Sequence, residues 1–330
     1  MSLSKSIVGI LACAVLTVAA QNPTTLRVDV RLVNVVATVT EASGKFVPNL
    51  TADDFTILED GVPQKISHFS QDREVPVSVG ILLDTSGSMI EKMRAAIEAV
   101  DRFVKNIHKD DDIFLMTFSG RITLEQDFTN DRVKLSRALN SLSVGGGTVL
   151  FDALNRAIDK VHEGKHDKKA ILLISDGIDQ GSRSTTMETL LGAIRGSEVL
   201  VYGLGATPQV YADPTEHVPF TLPTPSSVAR GPQAPAAPRR GNNNMAVNMT
   251  VLNQFATNSG GQAFLLSSTF IDNGGSNVDK ILTTIAEELR GQYTLGYYPS
   301  APDDGRFHTI KVTTSTGSNV RTRSGYQGRR

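Results

Sequence analysis

The chain has 330 residues, of which 40% are hydrophobic and 20% charged, with a formal net charge of -1. That length and composition fit a large globular domain with a smaller companion and give enough apolar surface for a sizeable core. The charge balance implies no strongly basic face, and so argues against nucleic acid as the main partner and against a polybasic membrane tether.

Residues 1–20 carry the pattern of a secretory signal. Lys5 is the cationic start, Ile7 to Val18 an apolar run, and Val18-Ala19-Ala20 a small-residue cleavage site. The run is too short for a comfortable membrane span. The expectation is a secreted or periplasmic protein with no stable membrane span after cleavage. The single cysteine, Cys13, lies inside this segment, so the mature chain would hold neither thiol nor disulfide, as suits a bacterial exported protein better than a small animal one.

Residues 21–73 read as β. Leu26 to Val39 alternates Val with polar residues, Gly44 breaks the run, and Phe55 to Leu58 and Lys65 to Phe69 are further strands around an Asp60-Gly61 hairpin turn. At Val77 the pattern changes. Val77 to Leu83 is a near-continuous apolar strand of the kind buried on both faces. Met93, Ile97, Val100, Val104 and Ile107 then share a helical face. Further strands are expected at Ile113 to Phe118, Ala170 to Ile174 and Glu198 to Tyr202. Helices are expected around Val133 to Leu142, Leu150 to Val161 and Thr186 to Ile194. Such alternation means an α/β fold with a doubly wound, mainly parallel sheet.

The segment 208–244 is proline-rich and reads as a surface insertion. Helices follow at Ala246 to Thr257 and Val278 to Leu289, with a short strand at Gln262 to Leu266. The tail, 291–330, returns to β at Gln292 to Tyr298, Thr309 to Thr314 and Val320 to Arg323. Neither β segment has enough strands to stand alone. The expectation is therefore an α/β unit over 74–290, inserted in or flanked by a small sandwich made from 21–73 and 291–330.

Asp84-Thr85-Ser86-Gly87-Ser88-Met89 follows the first buried strand, at the carboxyl end where doubly wound sheets place their sites. A carboxylate and two hydroxyls on one turn make a cluster of hard oxygens, the ligands magnesium takes while keeping other positions for water or a partner. Gly145-Gly146-Gly147-Thr148 presents another hydroxyl before a helix, and Ser175-Asp176-Gly177 a second carboxylate after a strand.

Asp84, Ser86 and Ser88 resemble the DxSxS element of the von Willebrand factor type A and integrin I-domain family, with Thr148 in place of its separate threonine and Asp176 of its later aspartate. The flanking segments Ala52-Asp53-Asp54-Phe55, Leu58 to Gly61, Gln292 to Pro299 and Arg323 to Tyr326 extend the likeness to the bacterial secreted "VWFA-related" proteins of the Acidobacteria type. The resemblance implies a metal-ion-dependent adhesion site. In it Ser86 and Ser88 bind a divalent ion directly, Thr148 joins when ligand binds, and Asp84 and Asp176 act through waters. The ion would be Mg2+, with Mn2+ or Ca2+ as alternatives. The partner would be a protein or cell-surface ligand supplying a carboxylate, and the role binding rather than catalysis.

Other motifs point elsewhere. His162-Glu163-Gly164-Lys165-His166 matches HExxH and would suit a zinc metallohydrolase, but Gly164 and the surrounding charges suit a solvated helix end. A metal-independent extracellular scaffold is the other rival. Asp110-Asp111-Asp112 reads as a solvated loop rather than a calcium loop. Tyr293, Tyr297 and Tyr298 read as strand packing rather than a sugar platform. Arg321, Arg323, Arg329 and Arg330 read as an exposed edge and tail.

Overall fold

The computed structural model of the chain describes residues 32–71, 75–106, 108–207, 247–266, 276–300 and 304–328. The signal segment, the start of the first β run, Ile107, all of the 208–244 insertion with Ala246, and Arg329 and Arg330 lie outside the described residues.

In chain order the elements are β1 (Val33–Thr40), β2 (Phe55–Glu59), β3 (Val62–Gln64), β4 (Ile66–Ser70), β5 (Val77–Asp84), α1 (Met93–Asn106), β6 (Asp112–Phe118), β7 (Ile122–Thr129), α2 (Arg132–Asn140), α3 (Leu150–Val161), β8 (Lys168–Ser175), α4 (Met187–Ser197), β9 (Leu200–Ala206), α5 (Met249–Ser259), β10 (Ala263–Leu266), α6 (Ser276–Gly291), β11 (Tyr293–Tyr297), β12 (Phe307–Thr314), β13 (Asn319–Arg321) and β14 (Gly325–Gln327).

The α/β unit is built on a six-stranded sheet in the order β10-β9-β8-β5-β6-β7. All neighbours run parallel except β7, which lies antiparallel on β6 at the edge. β7 was not anticipated from the sequence. Its residues Ile122–Thr129 are only partly buried along their length, so they lack both a continuous apolar run and a clean alternation. The pleat of β5 sends Val77, Val79, Ile81 and Leu83 to one face, where α1, α2 and α6 pack, and Leu82 to the other, against α3, α4 and α5. Gly80 is required on that second face, because a Cβ there would meet the Phe114 ring at 2.4 Å.

The two β segments pair with each other. β1 lies between β11 and β13, with β4 beyond β11, and a second sheet runs β14-β12-β2-β3. Every pairing is antiparallel. Val33, Val35, Ala37 and Val39 from one sheet share a core with Ile57, Ile310 and Val312 from the other. The α/β unit is thus spliced into a sandwich whose strands come from both sides of it in sequence. Asp60 and Gly61 both take positive φ, 48° and 82°, which is the turn geometry that an Asp-Gly hairpin demands.

Two expectations need correction. Arg323 is 5% exposed rather than an edge residue. Its guanidinium donates to the carbonyls of Asn34 and Arg195 and to Glu198, tying the sandwich to α4. Arg321 likewise donates to Glu288 of α6 and to Gln262. Of the three aspartates read as a solvated loop, only Asp110 is exposed. Asp111 accepts from the amides of Val77 and His108, and Asp112 from Ser78 Oγ and the Lys165 amide. Buried carboxylates hold the starts of β5 and β6 together, which a run of charge in sequence does not reveal.

Candidate metal centre

β5 is the strand from which the chain winds first to β6 and later, on the other side, to β8. The carboxyl ends on either side of this switch point leave a crevice between diverging loops. β5 delivers Asp84 to it and β8 delivers Ser175, followed by Asp176. Backbone hydrogen bonds lock the third loop alongside: Gly145 N donates to Thr85 O at 2.8 Å and Gly87 N to Gly146 O at 3.1 Å. Thr148 is held by its neighbours, since Gln180 N donates to its carbonyl at 3.0 Å and Val149 N to Ser119 O at 2.9 Å. Gly146 has φ of 97°, so the approach to Gly87 uses a conformation open mainly to glycine.

The five residues singled out from the sequence therefore lie on three adjacent loops, two at the ends of β5 and β8 and one between α2 and α3. Ser86 Oγ and Ser88 Oγ are 3.2 Å apart. Asp84 is fully buried and held from both sides, by the Ser86 amide at 2.9 Å and by Ser175 Oγ at 2.7 Å. Burial pushes its carboxyl up to about 6, against the opposing pull of those hydrogen bonds, with the charge of Asp176 adding to the rise. Asp176 is also fully buried. Gly177 behind it has φ of 74°, and a Cβ there would meet Asn248 O at 2.6 Å. Asn248 N in turn donates to Asp176 O at 2.7 Å, which ties this loop to the start of α5.

One residue of the site was not singled out from the sequence. Lys92 sits just before α1 with 1% exposure, and its Nζ donates to Asp176 Oδ2 at 2.9 Å. A lysine at the start of an amphipathic helix normally faces solvent. Only the parallel pairing of β5 with β8 brings this one to the later carboxylate.

The donor set is two carboxylates and three hydroxyls, with no histidine or cysteine. That is the chemistry of a hard, oxygen-seeking divalent ion rather than of a soft one. Among the described residues no group of three or more His, Cys, Asp or Glu gathers as a metal site. The histidine motif fares differently. α3 ends at Val161, His162 is its exposed cap, and Glu163 pairs with Lys160. His166 lies beyond the helix, its amide on Ser78 Oγ and its Nε2 on Asp110 O. The segment closes the amino-terminal end of the sheet, opposite to Asp84, and its two histidines do not share a helical face.

The α/β unit can be set beside known proteins. The family model of the von Willebrand factor type A domain matches residues 79–178. That stretch runs from within β5 to just past Asp176 and holds all five candidate residues. A curated protein of Synechocystis sp. (strain ATCC 27184 / PCC 6803 / Kazusa), described only as uncharacterized, is 30% identical over 114 residues, or 32% of this chain. The chain spans about a quarter, 26%, of that relative's length. Among solved structures, an aerotolerance-related membrane protein of Bacteroides fragilis carrying multiple mutations to serine has 20% identity. It covers 64% of this chain and 98% of its own, with a TM-score of 0.45. The von Willebrand domain of the type V pili tip protein of Porphyromonas gingivalis has 29% identity, covering 32% of this chain and 39% of its own, with a TM-score of 0.30. Among the described residues no helix is long and apolar enough to cross a membrane.

Proposed function

We propose that this chain is an interaction module that holds a divalent cation between Asp84, Ser86, Ser88, Thr148 and Asp176 and uses it to bind a carboxylate of a macromolecular partner. The observation that carries the reading is the convergence of three loops at the switch point, with the Asp84 carboxylate oriented by the Ser86 amide and the Ser175 hydroxyl. Ser86 and Ser88 would hold the ion through their hydroxyls, Thr148 would join them, and the two aspartates would orient its waters. Bound there, the ion supplies Lewis acidity toward a partner's oxygen. The residues themselves supply rigidity: Asp84 and Asp176 are buried and anchored to backbone amides, so they need not reorganise when the partner arrives.

Magnesium is the ion this reading favours, because near-octahedral oxygen coordination with retained waters suits neutral hydroxyl donors. The same reading places the protein outside the cytoplasm, on the strength of the apolar run Ile7 to Val18 and its small-residue end. It further assigns the chain to the secreted VWFA-related class, with adhesion as its role.

Thermal unfolding in EDTA against millimolar Mg2+ or Mn2+ tests the metal reading. An ion bound only by the folded state at about 100 times its dissociation constant adds ~2.7 kcal/mol, visible as a rise of several degrees in Tm. The rise is expected in the wild type and not in Asp84→Ala. A wild type indifferent to both ions would remove the reading and leave a metal-independent scaffold.

A further inference from the structure

We propose that Lys92 sets the ligand specificity of the candidate metal centre, acting as a fixed internal cation that leaves the metal-loaded site short of one negative charge. The inference rests on the metal reading above and goes beyond it, to the sign of the partner and the residue that dictates it.

The argument is a count of buried charge. Three ionic side chains meet at the three loops without access to solvent: Asp84 at 0% exposure, Asp176 at 0% and Lys92 at 1%. The hydroxyl donors Ser86, Ser88 and Thr148 add no charge. Two carboxylates and one ammonium leave the empty centre with one net negative charge. A divalent ion turns that into one net positive charge, and a single carboxylate from outside brings it to zero. With an apolar residue at position 92, the metal-loaded centre would already be neutral. Exposed charges such as Glu91 count for little here, because water and salt screen them while the buried ones are screened far less.

Lys92 does this without touching the partner. Its Nζ is spent on Asp176 Oδ2 at 2.9 Å and lies out of reach of solvent. The other oxygen, Asp176 Oδ1, accepts from the Ile178 amide at 3.3 Å, so the pair also fixes the carboxylate plane. Lys92 is a positioning residue. It weakens the hold on the cation and strengthens the demand for an anion. Packing alone gives little reason for charge at this position, since well-packed apolar residues of similar volume often replace buried pairs without loss of stability.

The test uses the full chain and two probes, Mn2+ followed by the paramagnetic resonance of the free ion, and a polyglutamate peptide titrated onto the Mn2+-loaded protein. In Lys92→Met, Mn2+ is expected to bind about ten-fold tighter and polyglutamate about ten-fold weaker, because a like charge has been removed beside the ion. Lys92→Arg keeps the charge and should stay near wild type on both readouts. Should Lys92→Met fail to fold by circular dichroism, Lys92→Gln removes the same charge with a polar end and carries the same expectation. A folded charge-removing variant whose Mn2+ affinity is unchanged or weaker overturns the role of Lys92 while leaving the metal centre standing. A wild type that binds no Mn2+ overturns both.

Discussion

The α/β unit and the sandwich each bury a carboxylate, and they treat it differently. Asp84 lies at the carboxyl end of β5 beneath glycine-rich loops whose tips, Gly146 and Gly147, are exposed. Its partners are an amide and hydroxyls, and its neighbour Asp176 is balanced by Lys92. Glu59, at 2% exposure, sits inside the sandwich and accepts from Tyr297 Oη at 2.5 Å and Tyr326 Oη at 3.3 Å. The ring of His308 stacks on Tyr326 and its Nδ1 stands 3.9 Å from Glu59. Burial, reinforced by the hydrogen bond to Glu59, pushes the Tyr297 phenol far up, so it stays protonated as a donor. The first arrangement gathers oxygens at an opening in the sheet; the second spends them on its own strands. The difference separates a polar cluster that can receive a ligand from one that specifies a core.

The widest test of this contrast is Lys92→Met without metal. Removing one member of a fully buried pair strands Asp176, and stability to urea in EDTA should fall by about 3–5 kcal/mol. A loss under about 1 kcal/mol would mean that water reaches Asp176 and the centre is more open than its burial suggests. In the sandwich, Tyr297→Phe leaves Glu59 with one phenol and should cost about 1–3 kcal/mol, the penalty for an under-satisfied buried acceptor. Because Tyr297 belongs to the sandwich core and none of the three loops does, the Mg2+-dependent rise in Tm should survive that change. Its loss would couple the two regions.

The pH profile sharpens the comparison further. Burial by itself would lower the His308 value, but the hydrogen bond to Asp60 and the charges of Asp60, Glu59 and Asp304 outweigh it and leave it raised above 6.5. A raised histidine stabilises the fold fully below its unfolded value and loses that contribution as pH rises through its folded value. Wild-type Tm should therefore fall as pH rises above the unfolded histidine value, and His308→Gln should flatten the slope. Equal slopes would place the titration elsewhere. The smallest effect belongs to the histidine motif, where Glu163→Ala removes an exposed helix-end pair with Lys160. Stability should move by no more than about 0.5 kcal/mol. A larger loss would mean that the segment closing the amino-terminal end of the sheet depends on that pair.

Local pattern was enough for part of this molecule. Continuous apolar runs at Val77 to Leu83 and Ala170 to Ile174 can be buried only on both faces, so the doubly wound sheet follows from period and composition. Asp60-Gly61 forces a hairpin by its backbone conformations. Asp84, Ser86, Ser88, Thr148 and Asp176 could be picked out because their loops follow a strand or precede a helix, and because together they resemble the metal site of the von Willebrand factor type A family. Other features depend on contacts between residues distant in sequence. Lys92 and Asp176 stand 84 positions apart, and no helical pattern says that a lysine at the start of α1 will turn inward. Arg323 reads as an exposed residue until its guanidinium meets carbonyls from β1 and α4. Asp111 and Asp112 look solvated until the starts of β5 and β6 close around them. The sequence by itself determined where most of the strands and loops fall, β7 excepted, because those depend on neighbours a few residues away. Tertiary structure alone decided which charges lose their water, because burial and pairing are set by strand order and crossing, and these have no period in the chain.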